Sequence, residues 1–220
     1  VSPVASRIRV AQSRAAGILH VRSGPLALAV LVIALLFTGA FPELSIPVSV
    51  VFDQPPRGVG TPEIVALALA SILPALTVPF FDGRELMAGR SARLGNLAYS
   101  AATLTAPLLV LPTWYWRMQA VHPDVSFPPL RGLIGNVFVF SCAGAILCLT
   151  LGPLLSAAAT PTLFAGFVVV QQAAPHSFLA VEFATGRSWY TNYWITTALV
   201  LLTLGLTWHM RAVPWTNRRH

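Results

Sequence analysis

The sequence predicts an all-α polytopic membrane protein of six transmembrane helices, and three observations predict it. Of 220 residues, 55% are hydrophobic and only 10% are charged, whereas ordinary soluble domains carry about 25% charged residues. Mean hydropathy is +0.71. Uncharged apolar runs near twenty residues long recur along the chain, and at 1.5 Å per helical residue such runs match a hydrocarbon slab about 30 Å thick.

Residues 3 to 22 place Val4, Ile8, Ala11, Ala15, Ile18 and Leu19 at helical spacing, with Arg7, Arg14 and Arg22 on another face. This pattern predicts an amphipathic helix over residues 1–24 lying on the membrane surface, with Arg7, Arg9 and Arg14 at anionic headgroups. No small-residue cleavage site follows the first apolar run, so the segment does not read as a secretory signal. Residues 25–210 read as the transmembrane domain, and residues 211–220 as a polar tail.

The first span is expected from Pro25 to Phe41, followed by a Pro-rich loop over residues 42–62 in which the apolar stretch VSVV is too short to cross. The second runs from Glu63 to Phe81, with Pro74 and Pro79 set to kink it. A charged segment over residues 82–96 precedes the third span, Leu97 to Trp116, which ends in the cluster Trp114, Tyr115 and Trp116. The fourth is expected from Gly132 to Leu151. Gly152 and Pro153 break the helix, and Pro161 restarts it as a fifth span from Thr162 to Ala174. Residues 174–192 form a semi-polar stretch that neither spans nor resembles a solvated linker, and the sixth span runs from Tyr193 to Met210.

Arginine placement orients this arrangement. With both termini inside, the inner segments hold Arg7, Arg9, Arg14, Arg22, Arg84, Arg90, Arg93, Arg211, Arg218 and Arg219. The outer segments hold Arg57, Arg117, Arg131 and Arg187, so ten basic residues face four, as the positive-inside rule requires. The localisation expected is a bacterial plasma membrane, multi-pass, with cytoplasmic ends.

All 14 basic residues are arginine, and lysine is absent. A phosphate-gripping G-x-x-x-x-G-K-[ST] loop and Schiff-base lysine chemistry are therefore excluded. The arginines are dispersed among apolar runs rather than gathered in a stripe, which argues against nucleic-acid binding. Five scattered histidines lack metal-ligand spacing, and no H-E-x-x-H or G-x-S-x-G motif occurs. The chain reads as neither an enzyme nor a cofactor carrier. Cys142 and Cys148 sit six residues apart on one helix, about 9 Å along its axis, too far for a disulfide.

Three further groups of residues are candidates for function. Asp82, Arg84, Glu85 and Arg90 flank Leu86 and Met87 in a short charged helix that another protein can grip. Around Pro175 and Gly186 the residues 174–192 are expected to form a re-entrant hairpin, in which Glu182 and Arg187 pair or line an exit path. Asn136, Gln171 and Gln172 are polar groups within spans, suited to joining helices or bordering a translocation path.

Taken in order, these parts resemble the permease subunit of type-2 ATP-binding-cassette exporters. The resemblance rests on the amphipathic segment near residues 4–22, the stretch from Phe81 through Asp82, Arg84 and Glu85 to Arg90, and the segment from Ala174 to Asn192. It lies in layout rather than in a sharp motif, and the Pro-rich loop 42–62 is long for the family. It implies an elbow helix, a cytoplasmic coupling helix docked on a separate ATP-binding subunit, and an outer re-entrant hairpin. It further implies that ATP and Mg reside on that partner and that a second permease copy or a sister permease completes the path. The competing expectations are a non-transporting six-helix accessory or scaffold subunit and, with less to recommend it, an intramembrane enzyme.

Overall fold

In the computed structural model, residues 23–49, 56–77, 90–125, 130–174 and 193–209 are described. Seven α-helices and a two-stranded sheet make up these residues: α1 Gly24–Ala40, β1 Ser45–Val48, β2 Arg57–Gly60, α2 Thr61–Thr77, α3 Arg90–Thr105, α4 Val110–Val121, α5 Leu130–Leu151, α6 Pro153–Ala173 and α7 Tyr193–His209. A 3-10 turn, Ala106–Leu109, joins α3 to α4 into one rod.

Three helical stretches are long and apolar enough to cross a membrane: Leu94–Val121, Leu133–Leu151 and Pro153–Ala173. Three further apolar helices are shorter, Gly24–Ala40, Thr61–Thr77 and Trp194–Trp208. Large side chains on α1 and α6 point away from the bundle, with Leu36 68% and Leu154 84% exposed, as suits helices bathed in lipid rather than water. The chain thus has the make-up of a membrane protein.

Several sequence expectations are corrected. The loop 42–62 holds an antiparallel hairpin, with Ile46 opposite Val59 and Val48 opposite Arg57, so the fold is not purely helical. The helix of the third span begins before Leu97: α3 starts at Arg90 and the apolar rod at Leu94, three residues before the span was expected. That rod runs on to Val121 rather than stopping at Trp116. Pro107 falls in the 3-10 turn, where the altered pitch absorbs its missing N–H.

The largest correction concerns α6. It starts at Pro153, directly after Gly152, and carries Pro161 in its interior. Only Gly152 breaks the chain between α5 and α6, at φ 88° and ψ 169°, a region open essentially to glycine alone. The two helices then fold back on each other. Phe140 meets Phe164 at 5.5 Å between ring centroids, and a side chain built on Gly144 would lie 3.5 Å from Thr160. Each pair is equidistant in sequence from Gly152, which defines an antiparallel helical hairpin turning on a single residue.

α2 packs into the centre of the bundle, and its proline explains how closely. Pro74 has no N–H to offer the Ala70 carbonyl one turn earlier. The Cα of Gly144 on α5 approaches that freed carbonyl so tightly that a Cβ there would run into the Ala70 oxygen. The Pro74 carbonyl in turn accepts a bond from Cys148 Sγ at 3.5 Å. Around this contact lie Ala66 with Val137, Ala70 with Phe140, and Leu69 with Leu73 and Val110. Six buried hydroxyls satisfy themselves within their own helices: Thr38, Ser71, Thr77, Thr160, Thr203 and Thr207 each donate to the carbonyl four residues back, the usual solution where water is scarce.

The bundle has two distinct ends. At one, the Gly152 turn neighbours the end of α2 and the end of α7: Thr77, Ser100, Thr103, Thr203 and Thr207 line a void of about 10 Å³ there. At the other lies the β-hairpin, with the end of α1, the start of α2, the end of α4 and the end of α6.

Candidate functional site

The hairpin end concentrates the polar contacts between elements. Thr61, the first residue of α2, donates its hydroxyl to the carbonyls of Phe41 at 2.6 Å and Leu44 at 3.0 Å. Its backbone N–H also reaches Leu44 O at 2.8 Å, so α2 starts from the chain that leaves α1. From α4, Trp114 Nε1 donates to Pro42 O at 3.0 Å and Arg117 Nε to Gly39 O at 2.9 Å. The Arg117 guanidinium therefore sits at the carbonyl end of α1, where the helix dipole favours a cation. His122 Nε2 and Glu43 Oε1 meet at 2.7 Å on the rim, both largely exposed.

The hairpin itself is tied down from below. On β2, Arg57 Nη2 reaches Glu63 Oε2 at 3.1 Å, and both side chains are 16% exposed. From α6, Gln172 Nε2 donates to Val48 O at 2.9 Å. Cross-strand partners share a face, so Ile46, Val48, Arg57 and Val59 point one way. Val59 and Val48 on that face pack onto Phe140, Phe164 and Val168. The opposite face carries Ser45, Pro47, Gly58 and Gly60.

Beside Glu63 is a cavity of about 20 Å³, walled by Glu63, Ala66, Leu111, Asn136, Phe140 and Phe164 among others. That is room for one water molecule. Glu63 and Asn136 are its polar wall, Asn136 being 2% exposed. The rings of Phe140 and Phe164 meet edge to face at 66° along its floor.

No protein-family model, curated protein or solved structure matches this chain. Function is therefore argued from its own residues.

The sequence-predicted site residues are distributed as follows. Asn136 lines the cavity. Gln172 clamps the hairpin to α6, while Gln171 Nε2 is buried with no hydrogen-bond partner among the described residues. Arg7, Arg9, Arg14, Asp82, Arg84, Glu85 and Glu182 lie outside the described residues. Arg90 opens α3, and its side chain is outside them as well. The aromatic cluster divides: Trp114 is buried on Pro42 and Trp116 is 67% exposed.

Sequence reasoning missed Arg57, Glu63, Thr61 and Arg117 as site residues. Arg57 and Glu63 were counted toward topology and span limits. The available signal was T-P-E directly after R-G-V-G: a short glycine-spaced strand running without a linker into a helix start, which holds a basic and an acidic residue six positions apart and close in space.

Proposed function

We propose that this chain is the membrane-embedded half of an ATP-driven exporter: six apolar helices that border a translocation path and take their energy from a separate ATP-binding subunit. The observation that carries this reading is the segregation of features between the two ends of the bundle. In the chain, residues 78–89 join Thr77, the end of α2, to Arg90, the start of α3. In sequence, Asp82, Arg84 and Glu85 fall between those two helix ends, both of which lie away from the β-hairpin. A β-hairpin at one end only among the described residues, with the arginine count placing the other end inward, supports the polarity that an exporter half requires.

The described bundle is packed through its middle, with Leu69, Val110, Cys142 and Cys148 at 1% exposure or less. A solute path accordingly runs between two chains rather than through one, which is the reason for proposing a second permease copy or a sister permease. An open apolar groove of about 750 Å³ along α6, with Ala158, Thr162 and Gly166 at four-residue intervals, supports a neighbour there, since small residues let helix backbones approach in lipid. The lipid-facing belt of α1 and α6 supports a membrane location, and the arginine count is the ground for setting the Gly152 end inward.

The test is purification in mild detergent from the native host. An ATP-hydrolysing subunit recovered in roughly equal amount supports the reading, and Glu85→Lys should abolish that recovery while membrane insertion stays normal. Recovery without any ATPase returns the chain to the scaffold reading. Unimpaired transport by the Glu85→Lys variant removes the docking assignment.

A further inference from the structure

We propose that the hydroxyl-lined void at the Gly152 end, where α2, α3, α5 and α7 meet, is a binding site for a sodium ion. The proposal goes beyond the exporter reading and does not rest on it, since it concerns an ion held by the bundle rather than the cargo the bundle moves.

The argument begins with the lining. Five hydroxyls from three helices surround the void: Thr77 from α2, Ser100 and Thr103 from α3, and Thr203 and Thr207 from α7. The rest of the wall is aliphatic. Thr203, Thr207 and Thr77 are buried, so these side chains are shut off from bulk water.

The hydrogens of these groups are spent elsewhere. Thr77 donates to Leu73 O at 2.6 Å, Thr203 to Leu199 O at 2.7 Å and Thr207 to Thr203 O at 2.8 Å. Thr103 Oγ1 stands 3.0 Å from Tyr99 O and 3.2 Å from Thr77 Oγ1, so its single hydrogen goes to the backbone or to its neighbour. These four threonines therefore have only lone pairs to offer an occupant of the void. A water molecule has two hydrogens to set against four acceptors. A cation draws on all of them at once.

Size and charge select the cation. The void, about 10 Å³, is at the lower limit for one water; sodium is smaller than water, and potassium is about as large. Sodium is close in radius to calcium, whose oxygen ligands stand about 2.3–2.6 Å away, so two ligands at right angles lie about 3.3 Å apart. The Thr77–Thr103 separation of 3.2 Å is near that value. Divalent ions recruit carboxylates, and this lining has none; a single charge is within reach of neutral oxygens. Asn96, buried one turn before Ser100, extends the polar face of α3 from its start toward the void, because residues three and four apart share a helix face.

The experiment uses the full chain, with whatever subunits co-purify, in phosphatidylcholine nanodiscs. Bound radioactive sodium is read by scintillation proximity, with choline chloride holding ionic strength constant. Saturable binding is expected, displaced by unlabelled sodium at least tenfold more effectively than by potassium. Thr203→Val, which keeps the shape and removes the oxygen, should weaken binding at least tenfold, while Thr203→Ser, which keeps the oxygen, should bind as the wild type does. Thr160→Val removes a buried hydroxyl on α6 outside the lining and should leave binding unchanged. Binding that does not saturate, equal displacement by potassium, or undiminished affinity in Thr203→Val overturns the proposal and leaves a void that holds water only. Should Thr203→Val fail to fold, Thr103→Val decides by the same tenfold criterion. Recovery of an ATPase bears on none of these outcomes, so the two readings fail separately.

Discussion

Replacing Gly144 with alanine tests the central packing of the bundle. The added methyl would collide with the Ala70 carbonyl oxygen and lie 3.1 Å from the Ala70 carbonyl carbon. Both are backbone atoms, so no side chain can swing aside, and α2 and α5 must part. Overpacking of this kind costs about 1–3 kcal/mol, and a backbone obstacle places it near about 3 kcal/mol. Against this, alanine in a helix interior is worth about 1 kcal/mol over glycine. The net loss is about 2 kcal/mol, which lowers the melting temperature by about 4–8 °C for a chain of this size. Gly166→Ala and Gly205→Ala are the matched controls. Both glycines lie inside helices, and a methyl at either meets nothing within 4 Å. Each should raise the melting temperature by about 2–4 °C through helix propensity alone. Intrinsic tryptophan fluorescence of purified protein during heating gives all three values. A Gly144→Ala variant as stable as the wild type, or more so, refutes the close crossing of α2 and α5 and the role of Pro74 in freeing the Ala70 carbonyl.

Arg57→Ala should cost about 3 kcal/mol by leaving Glu63 shielded and uncompensated, whereas Arg57→Met with Glu63→Leu should fall within about 1 kcal/mol of the wild type; thermal melts of the two variants check the difference. Leu69→Ala, at a side chain only 1% exposed, should lose about 2–5 kcal/mol, while Leu154→Ala at 84% exposure should change stability by less than about 0.5 kcal/mol in the same assay. Cys142 and Cys148 are free and buried, so a membrane-permeant maleimide should label neither until the protein is unfolded in SDS, and mass spectrometry counts the adducts.

What the sequence determined by itself is the material of the molecule: apolar helices, three of them long enough to cross a membrane, and their approximate limits. The expected first, fourth and sixth spans fall within two residues of α1, α5 and the described part of α7. These properties are local, because a run of twenty uncharged residues has only its own backbone with which to satisfy its N–H and C=O groups in lipid. The errors arose where proline was read locally. Pro161, expected to restart a helix, sits inside α6, because neighbouring helices tolerate a missing N–H that would end a helix in water.

Tertiary structure alone decided which polar residues meet. Trp114 reaches Pro42, Arg117 reaches Gly39 and Gln172 reaches Val48, across separations that no periodicity in the chain encodes. Asn136 was legible as a polar residue within an apolar span, but that it shares a cavity with Glu63 was not. The physical reason is that such contacts depend on how the Gly152 turn and the Ala70–Gly144 crossing set α2, α5 and α6 against one another. A shift of one helical turn at either place would pair different side chains while leaving every local pattern unchanged.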